Sequence, residues 1–154
     1  MNLNRILLPG RARLAVLSVF LSLGTLAATA RDSKFDAYLV WATNGDKPSG
    51  SDLKPVNTEV RKKLKELPLK WANFFEVNRV TISVPKGGSE KSRLSDKCQL
   101  EVTSVKGDFV EVSLIGKGEP VLKRTQPLPR GEMLVLGGNA PDETGWLVVL
   151  KRVD

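Results

Sequence analysis

The side chains that most often carry enzyme chemistry are scarce in this sequence of 154 residues, which has no histidine and a single cysteine, Cys98. A Ser-His-Asp or Cys-His centre needs an imidazole as its base, and the common zinc sites need several His or Cys ligands. The sequence excludes these centres, and one cysteine also excludes a disulfide within the chain. We predict no cofactor site and no metal site.

Carboxylates are the remaining candidates for acid–base chemistry, since a base near neutral pH would here be a carboxylate or a lysine with a shifted pKa. Asp108, Glu111 and Glu119 cluster around the end of a predicted hairpin, and Asp142 and Glu143 share a loop. Carboxylates in turns usually face solvent or form the turn itself. We therefore assign no catalytic residue, and a carboxylate-dependent enzyme stays an alternative.

The densest basic run is 61–65, and Lys70 and Trp71 follow it closely. A basic surface attracts phosphate or sulfate groups, which indicates a polyanion-binding patch. The candidate residues are Arg61, Lys62, Lys65, Lys70 and Trp71. The alternative interpretation is the solvated face of an amphipathic helix.

A short helix is predicted to carry the basic run. Asn57 is a suitable N-cap, and the helix would extend from Thr58 to Leu67, where Pro68 ends it. Val60, Leu64 and Leu67 recur at helical spacing and form one apolar stripe. Because so short a helix is marginally stable alone, the stripe must pack against another element.

The rest of the sequence after residue 30 has the alternating pattern of β-strands. Strands are predicted at 35–41, 75–84, 98–103, 110–114, 120–125, 133–136 and 146–150. A change of parity between Val77 and Val80 indicates a β-bulge. The segment 146–150 is apolar on both faces, which is typical of a strand buried on both sides. We predict a mainly β fold, a small antiparallel β-sandwich or barrel with one short helix.

The N-terminus has the order of a secretory signal peptide. Arg5, Arg11 and Arg13 precede an apolar stretch, and Ala28-Thr29-Ala30 fits a small-residue cleavage site. The apolar stretch is shorter than the ~20 residues of a spanning helix. We predict a signal peptide at 1–30, a single β-rich domain at 31–154 and no stable membrane span after cleavage. The protein would be exported to the periplasm or outside the cell.

Three segments resemble small exported bacterial proteins of unknown function: Phe75-Glu76-Val77-Asn78-Arg79, Gly116-Lys117-Gly118 and Gly131–Gly138. The resemblance covers most of the chain after residue 30 and implies no particular activity. Leu134–Gly138 is also similar to a short segment of secretin channel domains. The rest of the secretin pattern is absent, so a channel function is not implied.

These features favour an exported, non-enzymatic binding or structural module of the cell envelope. Its partner would be an envelope protein or polysaccharide, and export with a moderate charge argues against nucleic acid. Two alternatives remain, a carboxylate-dependent enzyme acting on envelope polysaccharide and a polyanion-binding protein that uses the basic helix.

Overall fold

The computed structural model describes residues 31–154, in which nine strands form two antiparallel sheets and one helix follows the second strand. The predicted signal peptide at 1–30 lies outside the described residues. The elements are β1 (Ser33–Thr43), β2 (Lys54–Pro55), α1 (Thr58–Glu66), β3 (Asn73–Val84), β4 (Ser89–Ser95), β5 (Cys98–Ser104), β6 (Phe109–Gly116), β7 (Glu119–Pro127), β8 (Met133–Asn139) and β9 (Gly145–Arg152). Within this part of the chain, no helix is long and apolar enough to cross a membrane.

The first sheet has the strand order β2-β3-β1-β9-β8, and the second has the order β4-β5-β6-β7. One apolar core contains side chains from both sheets, among them Phe35, Ile82, Leu100, Val112 and Leu150. Two antiparallel sheets that share a core are consistent with a β-sandwich. The prediction of a mainly β fold with one short helix is confirmed.

Strand β9 is central, as its continuous apolar pattern predicted. It pairs with β1 on one side and with β8 on the other. Val148 and Leu150 enter the core between the sheets, whereas Leu147 and Val149 enter a second core under α1. The expectation that Trp146 would also be covered is wrong, because Trp146 is 47% exposed.

Helix α1 packs on the outer face of the first sheet, which gives its apolar stripe the partner that it needed. The Asn57 side chain accepts a hydrogen bond from the Val60 N–H at 2.9 Å and caps the helix. Val60 and Leu64 are fully buried in the second core. Lys151 of β9 forms a 2.6 Å ion pair with Glu59, so the first turn of the helix is also held by charge.

The predicted bulge lies in β3. Leu39 of β1 is opposite Asn78 and Val40 is opposite Glu76, so Val77 is the extra residue. Strand β4 was not predicted, because it is a polar edge strand in which Leu94 is the buried residue. Polar edge strands lack the alternation that reveals half-buried strands.

Gly137 and Gly138 of β8 differ sharply in the space around them, which gives a direct test of the β8–β9 packing. A Cβ at Gly137 would collide with the Trp146 carbonyl oxygen and lie 2.8 Å from a Leu147 methyl carbon, and its φ is +155°. A Cβ at Gly138 would meet nothing within 4 Å.

We expect Gly137→Ala to lower the free energy of unfolding by about 1–3 kcal/mol, as overpacking does. Gly138→Ala should change it by less than about 0.5 kcal/mol. Urea unfolding of both variants measures the difference, and equal stabilities would contradict this packing.

Candidate binding site

Three aromatic residues lie side by side across the first sheet. Phe75 of β3 is directly opposite Trp41 of β1, and Trp41 is directly opposite Trp146 of β9. The Trp41 and Phe75 ring centroids are 5.9 Å apart. We call Phe75, Trp41 and Trp146 the aromatic row. Since neighbouring strands lie about 4.8 Å apart, the row extends roughly 10 Å across the strands.

The aromatic row is on the face of the first sheet that turns toward the second sheet. Trp146 has the same parity as Val148, and Trp41 has the same parity as Leu39, and both of these neighbours are in the core between the sheets. Trp146 nevertheless remains about half exposed, so the second sheet does not cover this end. On β8 the residue directly opposite Trp146 is Gly138, which has no side chain to cover the indole. The row therefore ends in an accessible indole.

A cleft between the two sheets adjoins the Trp146 end of the row. It has a cavity volume of about 330 Å³, within the range of about 300–1,000 Å³ usual for small-molecule sites. Its walls are apolar: Leu39, Trp146 and Val148 from the first sheet, and Cys98, Ile115 and Val121 from the second. Val121 is 62% exposed. Lys97 also lines the cleft.

Cys98 is half-buried in this wall. Burial raises the pKa of its thiol above the ordinary value, because desolvation disfavours the thiolate. The thiol is therefore protonated and weakly nucleophilic at neutral pH. In this structure Cys98 serves as a small apolar wall residue.

A smaller groove lies between α1 and the start of β3. It has a volume of about 150 Å³ and is lined by Pro55, Phe75, Asn73 and two helix cations, Arg61 and Lys65. The two cations share a face of α1 because they are four residues apart. Arg61 and Lys65 therefore lie on the α1 side of the first sheet, whereas the aromatic row faces the second sheet.

The other predicted polyanion residues lie elsewhere. Lys62 is exposed on the helix surface, and Lys70 and Trp71 line a different cleft with Gly137 and Gly138. Trp71 is 8% exposed, and its indole N–H donates a 2.8 Å hydrogen bond to the Glu143 carbonyl. The structure thus brings Arg61 and Lys65 together and separates them from Lys70 and Trp71.

Three of the five candidate carboxylates have structural roles, two in ion pairs and one in a turn. Asp108 accepts a 2.9 Å bond from Arg152, and Glu111 accepts a 2.8 Å bond from Lys123. Asp142 accepts hydrogen bonds from both the hydroxyl and the N–H of Thr144, and these bonds lower the pKa of its carboxyl. Such roles are structural and do not require a reaction.

Sequence reasoning did not identify the aromatic row. Each of its residues is an ordinary aromatic in a predicted strand or at its border, so no local pattern distinguishes it. The row exists because of the pairing registers β3–β1 and β1–β9, which join residues more than 30 and 100 positions apart.

Comparison of the chain with protein families, with curated proteins and with solved structures found no match.

Proposed function

We propose that this protein is an exported, non-enzymatic binding module of the cell envelope with a β-sandwich fold, and that its ligand site is the aromatic row together with the adjoining cleft. The signal-like order of residues 1–30 supports export. A concave apolar surface with a few polar groups at its margin is the usual form of a ligand site.

The observation that carries this proposal is the exposure of Trp146 in line with Trp41 and Phe75. The half-exposed Trp146 ring leaves apolar surface in contact with water beside an apolar cleft. Covering this surface with a ligand would favour binding. Aromatic rings with one open face are frequent anchors of recognition sites.

Trp146→Ala tests the proposal against a matched control at the opposite end of the sheets. Phe109 is 48% exposed, close to the exposure of Trp146, but it lies in β6 beside the far turn. We expect purified protein to co-sediment with isolated cell envelopes of its source, Trp146→Ala to reduce the bound fraction at least threefold, and Phe109→Ala to leave it unchanged. Trp146→Phe should retain most of the binding, because it keeps an aromatic ring.

Two results would contradict the proposal. One is envelope binding that Trp146→Ala leaves intact, because the ligand would then occupy another surface. The other is no retention of the unaltered protein on envelopes. Thermal melting of each variant establishes that it is folded.

A further inference from the structure

We infer that the ligand of this site is a free fatty acid, whose hydrocarbon chain enters the cleft between the two sheets while its carboxylate stays at the mouth. This inference rests on the proposed function and specifies the ligand that the proposed function leaves open.

The cleft lies beside the β4–β5 and β6–β7 turns and leads into the core between the sheets. Leu39 and Val148 line it, and both belong to that core and are only 2% exposed. Leu114 lines the cleft from the second sheet and packs against the same core. A chain of methylene groups in the cleft would therefore lie between apolar side chains of both sheets and leave water.

The lining of the cleft offers few groups that could bind a polar ligand. Ser95 and Lys97 are its polar side chains, and the Cys98 thiol is a weak hydrogen-bond donor. A sugar or a peptide buried here would leave most of its hydroxyl or amide groups without a partner, and each unsatisfied group weakens binding. A hydrocarbon chain needs no such partner. The lining therefore favours a hydrocarbon chain over a sugar or a peptide.

The size of the cleft suits a single chain. Its volume is about 330 Å³. A methylene group occupies about as much space as a water molecule in the liquid, about 30 Å³, so the cleft holds about ten carbons. Trp146 of the first sheet and Val121 of the second line the same cleft and are largely exposed. A chain that entered between them would cover apolar surface on both.

The mouth of the cleft is basic. Lys97 lines it, and the Lys117 N–H donates a 3.1 Å hydrogen bond to the Lys97 carbonyl, so the two lysines are neighbours. In the described part of the chain, neither lysine lies within salt-bridge distance of a carboxylate. Asp96 pairs with Arg93, which leaves Glu119 as the remaining acid in or next to the two turns. Two lysines against one acid favour an anionic head group.

The saturated series from hexanoate to tetradecanoate tests the chain, in calorimetric titration of the purified protein. We expect the affinity to rise about fourfold with each added methylene up to about ten carbons, and then to level off because further carbons remain outside the cleft. Decanoate should bind more tightly than decyltrimethylammonium, which has a similar chain and a positive head group. An affinity independent of chain length, or tighter binding of the cation, would contradict the inference.

Cys98 reports where the fatty acid binds, because it is the one cysteine of the sequence and lies in the wall of the cleft. At a decanoate concentration about ten times the dissociation constant, we expect N-ethylmaleimide to modify Cys98 about tenfold more slowly, since only the empty fraction of the protein reacts. Mass spectrometry measures this rate. Acetate, which is too short to fill the cleft, should leave it unchanged. Equal rates with and without decanoate would place the fatty acid elsewhere and overturn the inference.

Variants assign each contribution to its residues. Trp146→Ala should weaken decanoate binding about two- to tenfold, the range for an aromatic contact. The double variant Lys97→Gln/Lys117→Gln should weaken decanoate about two- to fivefold per charge and leave neutral decanol unchanged. The control Lys86→Gln/Lys106→Gln removes two exposed lysines in turns at the far end of the sheets and should change neither affinity. Decanoate binding that none of the first three substitutions weakens would contradict the inference.

Failure of this inference is distinguishable from failure of the proposed function. If envelopes retain the protein through Trp146 while no fatty acid binds, the inference fails and the proposed function stands. Retention on phosphatidylglycerol vesicles without binding of free fatty acids would mean a membrane surface, which also overturns the inference. Envelope binding that Trp146→Ala leaves intact removes the proposed function itself.

Discussion

Leu150→Asp is expected to abolish cooperative folding. Leu150 lies in the middle of the central strand β9, is fully buried and packs in the core between the two sheets. An unpaired carboxylate at this position costs several kcal/mol after relaxation of its surroundings. The whole free energy of unfolding of a domain is about 5–15 kcal/mol. The loss of the Leu150 packing adds a further 2–5 kcal/mol, approximately.

Circular dichroism and thermal melting check this result. The matched control is Val105→Asp, because Val105 is 50% exposed in the turn after β5 and its substitution should change the free energy of unfolding by less than about 0.5 kcal/mol. A Leu150→Asp protein that melts cooperatively near the temperature of the unaltered protein would show that β9 is not a core strand.

A chain that ends at Thr144 is expected to remain unfolded. It lacks all of β9, which pairs with β1 and β8 and supplies side chains to both cores. Strands β1 and β8 would then each expose a row of unpaired N–H and C=O groups. We expect no cooperative transition in urea and a spectrum without the β signal.

A chain that ends at Arg152 is the control for this truncation. It lacks Val153, whose N–H donates a hydrogen bond to the Lys34 carbonyl. It also lacks Asp154, whose carboxylate accepts hydrogen bonds from the Arg152 guanidinium and the Lys34 N–H. The predicted result is a cooperative transition with stability lowered by about 1–3 kcal/mol. If the chain ending at Thr144 unfolds as cooperatively as this control, the two-core arrangement is wrong.

The architecture was largely predictable because its signals are local. The Asn57 cap, the stripe of Val60 and Leu64, and the doubly apolar segment at 146–150 each follow from residues close together in the sequence. The bulge at Val77 was visible as a change of parity. Burial of one face of a helix or strand fixes the order of apolar and polar residues within that element. These features can therefore be recognised in the sequence itself.

The proposed binding site was not predictable for the opposite reason. The sequence predicted that Trp146 would be covered. Parity shows which face of the sheet a side chain occupies, but it does not show how far the opposite sheet extends. Basic residues close in sequence, such as Lys65 and Lys70, were grouped together, although they line different clefts. Register and sheet extent are set by long-range pairing, and a single sequence does not display them.

The indole N–H signals of the three tryptophans provide the most direct test of the aromatic row as the binding site. Trp41 and Trp146 belong to the row, whereas the Trp71 N–H is held by the Glu143 carbonyl on the other face of the first sheet. In NMR titration of the isotope-labelled protein with a soluble extract of the cell envelopes of its source, we predict that the Trp146 signal shifts most, the Trp41 signal shifts less and the Trp71 signal stays in place. Binding that shifts Trp71 and leaves Trp146 unmoved would contradict the account.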